Sequence, residues 1–397
     1  MLAAMAAVDS KALEKEPLII LALLLVSIAL FLTFLLIIAI SNLFVLRSLG
    51  SYSSSVRQPS VSILIPARNE EEVIGRCVQS LLSQDYPNFE VRVLDDDSSD
   101  GTWTVLQNLA IDDCRLKIAK GKPLPGGWLG KLWACHQLSL QAEGEMLLFT
   151  DADTAHKPST IRNAVAAMEA EDTDLITTLP QQIMGSFMEN LIMPFSYWVI
   201  MCFLPLVVAY ATQNTLFSAA TGQFMLFRRS AYEKIGGFEA IKEKVVDDVE
   251  LCKRIRSHGL RWRLMDGHDS YSVRQYSSGR ELVEGHTKNL FAEFNNNALT
   301  LTLIWLWILL VFLAPVAGLI TGIIIEGAAG SVFWLSFACV LMSLVTWIIV
   351  CFRFRFPLYL PLFYPFSVLI MALLSFSSMI LNFGKKATWK GRVLPGS

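Results

Sequence analysis

The stretch LLFTDADT, residues 147–154, decides the fold. An apolar run closes abruptly on Asp151, Ala152 and Asp153, so a buried strand delivers two carboxylates, one residue apart, to its carboxyl end. Two upstream runs have the same form. VSILIPARNEEE from Val61 and EVRVLDDDSSDGT from Glu90 each end an apolar strand in polar, turn-forming residues. Three such strand ends form one crevice at the carboxyl edge of a parallel sheet, where open α/β folds bind ligands. Two carboxylates there can hold a divalent cation against a diphosphate. Taken singly, Asp-x-Asp is a weak signal that reads first as a solvated turn; the two companion motifs give it weight.

Outward from this stretch, strands and helices alternate as they do around a parallel sheet. After a Ser-rich linker at 51–60, strands are expected at 61–65, 91–94, 116–119, 146–150 and 175–178, with helices at 70–82, 102–109, 131–142 and 158–170. The second half is less regular: a strand at 223–227, a helix at 247–257, strands at 261–265 and 271–274, and an amphipathic helix at 280–294.

The 397 residues are 53% hydrophobic with a mean hydropathy of +0.47, too apolar for an ordinary soluble chain. Residues 18–46 form an uncharged anchor within an N-terminal region (1–50), and 298–325, 332–351 and 358–383 form a C-terminal membrane-helix cluster ahead of a basic tail at 384–397. Between them, 59–294 suffices for one catalytic domain. Inside it, 191–211 is also apolar, yet a crossing there would part Asp151 and Asp153 from Asp247 and Asp248. It reads as an interfacial or buried hairpin broken by Pro194 and Pro205, or else as a core helix.

Arg47 and Arg57 follow the anchor and Arg353 and Arg355 lie between the last two spans, which places the domain in the cytoplasm, on a cell-membrane protein. Four crossings would then leave Lys385, Lys386, Lys390 and Arg392 outside. Pro361 and Pro365 suggest a re-entrant last segment that returns the tail. Net charge is −2 with no basic block, which argues against nucleic acid, and the seven scattered Cys form no metal or disulfide pattern.

IPARNEEE, DDDSSDGT, DADT and VVDDVEL, in this order and spacing, resemble the nucleotide-sugar site of inverting family 2 glycosyltransferases. PLPGGWLGKLWAC (123–135) and RELVEGHTKNLF (280–291) more narrowly resemble carotenoid and hopene-associated glycosyltransferases, and more distantly ceramide glucosyltransferase. The resemblance covers 59–294, with TWKGR (388–392) as an outlying match. It implies a GT-A fold, Rossmann-like with a mostly parallel sheet, inserted between an N-terminal transmembrane helix and the C-terminal helices. It also implies transfer of one sugar from a nucleotide donor, such as a UDP-hexose, to a hydroxyl of a lipophilic acceptor in the bilayer: a carotenoid, a hopanoid or another polyprenoid.

By the same resemblance, Asp153 braces Mg²⁺ or Mn²⁺, Asp151 touches the ribose or a metal-bound water, and Asp96 accepts a base N–H. Pro66, Arg68 and Glu70 lie in the turn against base and ribose, and Lys131 reaches a phosphate. Asp248, preceded by Asp247 where relatives more often have Glu, is the general base; read alone, the pair answers a helix dipole. Many family 2 synthases carry Gln-x-x-Arg-Trp before their membrane helices. EGHTKN stands there instead, leaving Arg274, His286 and Lys288 as substitutes for diphosphate and acceptor contacts, with His286 equally readable as an interfacial structural residue. A processive polysaccharide synthase fits less well, lacking that motif and enough spans for a channel. A non-catalytic nucleotide-binding membrane protein also fits less well, since no G-x-G-x-x-G follows the first strand and a binder would not need Asp248.

Overall fold

The structure, a computed structural model, describes residues 2–53, 57–276, 278–325, 330–383, 388–389 and 392–393. The chain forms two compact units. One holds residues up to Leu43, Phe187–Pro205 and Asn297–Phe376; the other holds Phe44–Ser186, Leu206–Asn296 and the chain from Ser377 onward.

The α/β unit is built on a seven-stranded sheet. Its strands are β1 (Val61–Ala67), β2 (Phe89–Asp95), β3 (Leu116–Lys120), β4 (Met146–Thr150), β6 (Leu175–Leu179), β8 (Phe224–Arg228) and β9 (Trp262–Asp266), ordered β3-β2-β1-β4-β8-β6-β9. All pairings are parallel except those of β8, which runs against both β4 and β6. A small second sheet joins β5 (Thr154–His156), β10 (Tyr271–Val273) and β7 (Gln181–Gln182).

The central strands are buried on both faces, which is why β1 reads as a continuous apolar run instead of an alternation. Along β4, Met146 and Leu148 join the core beneath α2 (Ile74–Leu82) and α5 (Thr160–Ala170), to which α2 contributes Ile74, Cys77, Val78 and Leu81 at helical spacing. Phe149, pointing the other way, packs its ring on Phe227, Tyr232 and Phe238. The remaining helices of this unit are α3 (Thr102–Asp112), α4 (Gly130–Gln141), α7 (Leu206–Ala211), α8 (Arg229–Lys234), α9 (Asp247–Ser257) and α10 (Gly279–Glu293).

The apolar unit contains α1 (Leu2–Val45), α6 (Phe187–Phe203), α11 (Ala298–Ile325), α12 (Ser331–Arg353) and most of α13 (Tyr364–Phe383). Among the described residues, four helices are long and apolar enough to cross a membrane: Leu18–Val45, Ala298–Ile325, Ser331–Arg353 and Leu360–Phe383. Gly318 and Gly322 let α11 meet α12 closely; a Cβ on Gly322 would lie 2.8 Å from the Phe333 backbone nitrogen. Inside the unit, Trp198 stacks on Trp347 and donates from Nε1 to Thr346 Oγ1 (3.1 Å).

Two expectations about proline need correcting. α6 continues through Pro194 and stops only before Leu204 and Pro205, where the buried Asn42 amide donates to the Met201 and Leu204 carbonyls that the helix end leaves unpaired. In the last segment, Pro361 lies in a preceding 3₁₀ turn (Leu360–Phe363) and Pro365 in the first turn of α13, where a missing N–H costs nothing. These prolines begin a continuous helix, so no hairpin forms within α13. Of the tail, Lys385, Lys386 and Lys390 lie outside the described residues, as does the side chain of Arg392.

Candidate active site

β1, β2 and β4 end side by side, with Ala67 in register with Asp95 and Leu64 with Phe149, so the three loops that follow share one edge of the sheet. The first two loops are laced together. Arg68 donates to the Asp96 carbonyl, Asn69 N–H to Ser98 Oγ (3.0 Å), Ser99 N–H to Asn69 Oδ1 (2.8 Å) and Glu70 N–H to Thr102 Oγ1 (2.8 Å). Asn69 and Asp97 adopt φ of 54° and 60°, left-handed conformations that Asn and Asp tolerate better than bulkier residues. Asp100 receives N–H groups from Thr102 and Glu71 and so shapes the turn, while Asp96 is buried, its N–H donating to the Ala67 carbonyl.

The third loop carries Asp151 and Asp153. Asp151 Oδ1 pairs with Lys131 Nζ at 2.7 Å, from the first turn of α4. Burial alone would lower the lysine, but Asp151 and Asp247 hold its ammonium well above the usual range. Asp153 keeps one carboxylate oxygen, Oδ1, buried without a hydrogen-bond partner. Burial, then the charges of Asp151 and Glu70, push its carboxyl up to about 7.

Behind the loop lies a cluster that the sequence reading missed. Thr154 Oγ1 bonds to the Asp151 carbonyl (2.8 Å) and to His156 Nε2 (2.9 Å), and the His156 ring stacks on Tyr271. Burial keeps that imidazole neutral, its pKa lowered to about 3.

Asp247 and Asp248 open α9, as expected. Gly222 connects them to the third loop: a Cβ there would sit 3.5 Å from Lys131 Nζ and 3.9 Å from Asp248 Oδ2. Asp248 accepts from the Val249 N–H next to it (2.7 Å), which is not the cap geometry of an Asp serving only its helix. Burial first, and Asp247 second, raise its carboxyl to about 7. A proton acceptor, an ammonium and an acidic pair therefore share one crevice.

The remaining candidates divide. Val273 pairs with Thr154, so Arg274 follows at the level of Asp153, exposed. His286 is half-buried with Nδ1 against the Leu282 carbonyl, its pKa lowered by burial, and its ring packs on Tyr276. Tyr276 itself feels the site: burial, and then the Asp153 charge, raise its phenol. Gly285 makes room for it, since a Cβ would meet the Tyr276 ring at 2.5 Å. The tyrosine directly after Arg274 and Gln275 was the available signal. Lys288 lies in α10, its side chain outside the described residues.

Among the described residues no three His, Cys, Asp or Glu form a cage for a metal. A buried, unpartnered carboxylate oxygen on Asp153 beside Asp151 fits instead a hard divalent ion that takes one or two carboxylates and completes its shell with substrate phosphates.

A comparison with known families matches residues 62–236 to the model described as glycosyl transferase family 2. Residues 62–236 are a glycosyl transferase family 2 domain. The family 2 domain is similar to the beta-monoglucosyldiacylglycerol synthase of Trichormus variabilis, 29% identical over 206 residues, which are 50% of this chain and 41% of that protein. It is also similar to the 4,4'-diaponeurosporenoate glycosyltransferase of Staphylococcus aureus, 26% identical over 245 residues, 58% of this chain and 60% of that one. The chain thus spans less than two thirds of the length of these relatives. Among solved structures, a mannosyltransferase from Pyrobaculum calidifontis, in complex with GDP-Man and Mn²⁺, superposes with a TM-score of 0.56 at 17% identity, covering 91% of this chain and 99% of that one. That likeness establishes the GT-A fold for the α/β unit, flanked in sequence by apolar helices.

Proposed function

We propose that this protein transfers a single hexose, with inversion, from a nucleoside diphosphate sugar to a hydroxyl of a membrane lipid. The observation that carries the reading is Asp248 meeting Lys131 at Gly222, because it sets a carboxyl of raised pKa beside the residues suited to a diphosphate. Asp96, Pro66, Arg68 and Glu70 form the seat for base and ribose. Asp151 and Asp153 would hold Mg²⁺ or Mn²⁺, and Lys131 is released from Asp151 toward phosphate when donor enters. A cation held there would supply positive charge to offset that of the leaving diphosphate. Asp248 takes the proton of the acceptor hydroxyl as that oxygen attacks the anomeric carbon from the face opposite the leaving group. Arg274 and Tyr276 approach the diphosphate from β10.

One relative is named for a lipid product, a monoglucosyldiacylglycerol, and the other for the lipid it glycosylates, a diaponeurosporenoate, which supports an acceptor resident in the bilayer. The positive residues beside the spans support a cytoplasmic α/β unit. The tail's return to that side is supported within the α/β unit, where Phe291 N–H donates to Ser378 Oγ (3.0 Å) and the rings of Phe291 and Phe383 pack together.

Asp248→Asn tests the function. It retains size and the local hydrogen bond but not basicity, so transfer to a membrane lipid extract should fall by about 10² to 10⁴, roughly 3 to 5 kcal/mol on the barrier. Calorimetric binding of nucleoside diphosphate with Mn²⁺ should be unchanged. Wild-type turnover in this variant would sink the mechanism.

A further inference from the structure

From Asn190 to Phe227 the chain contains no Asp, Glu, Lys or Arg. The part inside the α/β unit, 206–222, leads from the end of α6 to Gly222, against which Asp248 rests. At the chain's charged share of 17%, a solvent-facing segment of this length would hold about three charges. Instead it exposes large apolar side chains: Val207 is 52% exposed, Val208 41% and Leu216 78%. A single exposed valine or leucine means little. Three within ten residues, without a charge and continuous in sequence with a helix of the apolar unit, describe a surface made for hydrocarbon.

The segment is fixed, not loose. Arg256, on the same helix that begins with Asp247 and Asp248, is buried at 3% exposure; its guanidinium donates to the carbonyls of Ala209 (2.8 Å), Thr212 (3.0 Å) and Asn214 (2.8 Å). At the other end Thr221 bonds through its N–H and hydroxyl to Thr177 Oγ1 (2.9 Å) and the Thr178 carbonyl (2.7 Å) of β6. The turn around Leu216 between these anchors stays outward. One arginine thus ties the exposed strip to the base-bearing helix, which fixes the path from the strip to Asp248.

We propose that 206–222 is the entry strip for the acceptor: it lies against the bilayer, the acceptor's hydrocarbon chain rests on Val207, Val208 and Leu216, and its hydroxyl end reaches Asp248 past Gly222. The acceptor half of this inference depends on the transferase reading; the membrane half does not.

The test places a nitroxide through Leu216→Cys on a Cys114→Ser background, Cys114 being an exposed native thiol, in protein reconstituted into phosphatidylcholine vesicles. Oxygen, which partitions into acyl chains, should broaden the signal more than a water-soluble nickel chelate does. A label introduced by Ile111→Cys, on the 81% exposed Ile111 of α3, should show the reverse. If the two labels behave alike, the strip faces water and the inference falls. In parallel, Leu216→Asp should lower transfer to a membrane lipid extract at least tenfold with nucleoside diphosphate binding unchanged, and Leu216→Phe should retain it. Wild-type transfer by Leu216→Asp overturns the acceptor route. A lipid-exposed label at position 216, together with an unlabelled wild-type protein that transfers no sugar, also overturns that route and identifies the transferase reading as the failure.

Discussion

Lys131→Met removes the ammonium from a crevice that holds Asp151, Asp153, Asp247 and Asp248 while keeping an unbranched apolar stem. Its Nζ and Asp248 Oδ2 lie 3.5 and 3.9 Å from the same point above Gly222. With the two charges no more than about 7 Å apart and an effective dielectric of ~20, their attraction is about 2.4 kcal/mol, or ~1.7 pKa units. Lys131 is only 28% exposed, so solvent screens this little. The ammonium lowers the Asp248 carboxyl; without it a group already raised to about 7 rises further. A general base works deprotonated, so the acid limb of the pH–rate profile should move upward by about 1 to 2 units. The assay is sugar transfer to a membrane lipid extract at saturating donor from pH 5 to pH 9.5. Variant and wild type should differ most near pH 6 and converge in alkali. An unmoved limb with the same fractional loss at every pH would refute the coupling, leaving Lys131 as a phosphate contact alone.

Asp153→Asn should abolish the Mn²⁺ dependence of nucleoside diphosphate binding by calorimetry; an unchanged dependence rejects the metal assignment. The raised Asp153 and Asp248 carboxyls give the metal-free fold stability that is complete below their unfolded pKa and lost as pH rises through about 7. The thermal midpoint without metal should accordingly fall between about pH 4 and pH 7 and level off above, and less so in Asp153→Asn. Gly144→Ala would push a Cβ to 2.5 Å from the Ser62 nitrogen and 2.9 Å from two backbone carbonyls, which cannot swing aside. A loss of about 1 to 3 kcal/mol in denaturant titration is expected. Arg392→Cys should react with an impermeant maleimide from the same membrane face as native Cys114, and labelling from opposite faces rejects the returned tail.

Much of the fold was legible because its signals are local. Buried parallel strands advertise themselves as short apolar runs, and helix α9 was bounded correctly at 247–257 by its acidic start and basic end. The span 298–325 likewise matches α11. What escaped depends on partners far away in sequence. Three-residue β5 exists because it pairs with β10, more than a hundred residues later, and no periodicity can show that. The Thr154–His156–Tyr271 cluster beneath Asp153 was hidden for the same reason. Tyr276 was masked differently: attention went to His286, which packs on the tyrosine, whereas the Asp153 charge bears on the tyrosine itself. The prolines misled because their effect depends on position, and Pro365 in a first turn starts a helix that Pro in mid-helix would bend.

The reversal of β8 has a consequence for how such enzymes diversify. Every other strand of the main sheet ends at the crevice, whereas β8 begins there, with Phe224 beside Thr150. Chain before β8 therefore arrives at the crevice from outside the sheet and can be lengthened or exchanged without altering any strand register. The segments proposed to seat the nucleotide come earlier, between β1 and β5, and are bound to one another by the lacing of the first two loops. On the proposed reading, donor recognition and acceptor recognition lie in separable lengths of chain that approach each other where Gly222 meets Lys131 and Asp248. Grafting the stretch that precedes Gly222 from one such transferase onto another is the exchange this topology permits: a new lipid presented to an unchanged sugar donor.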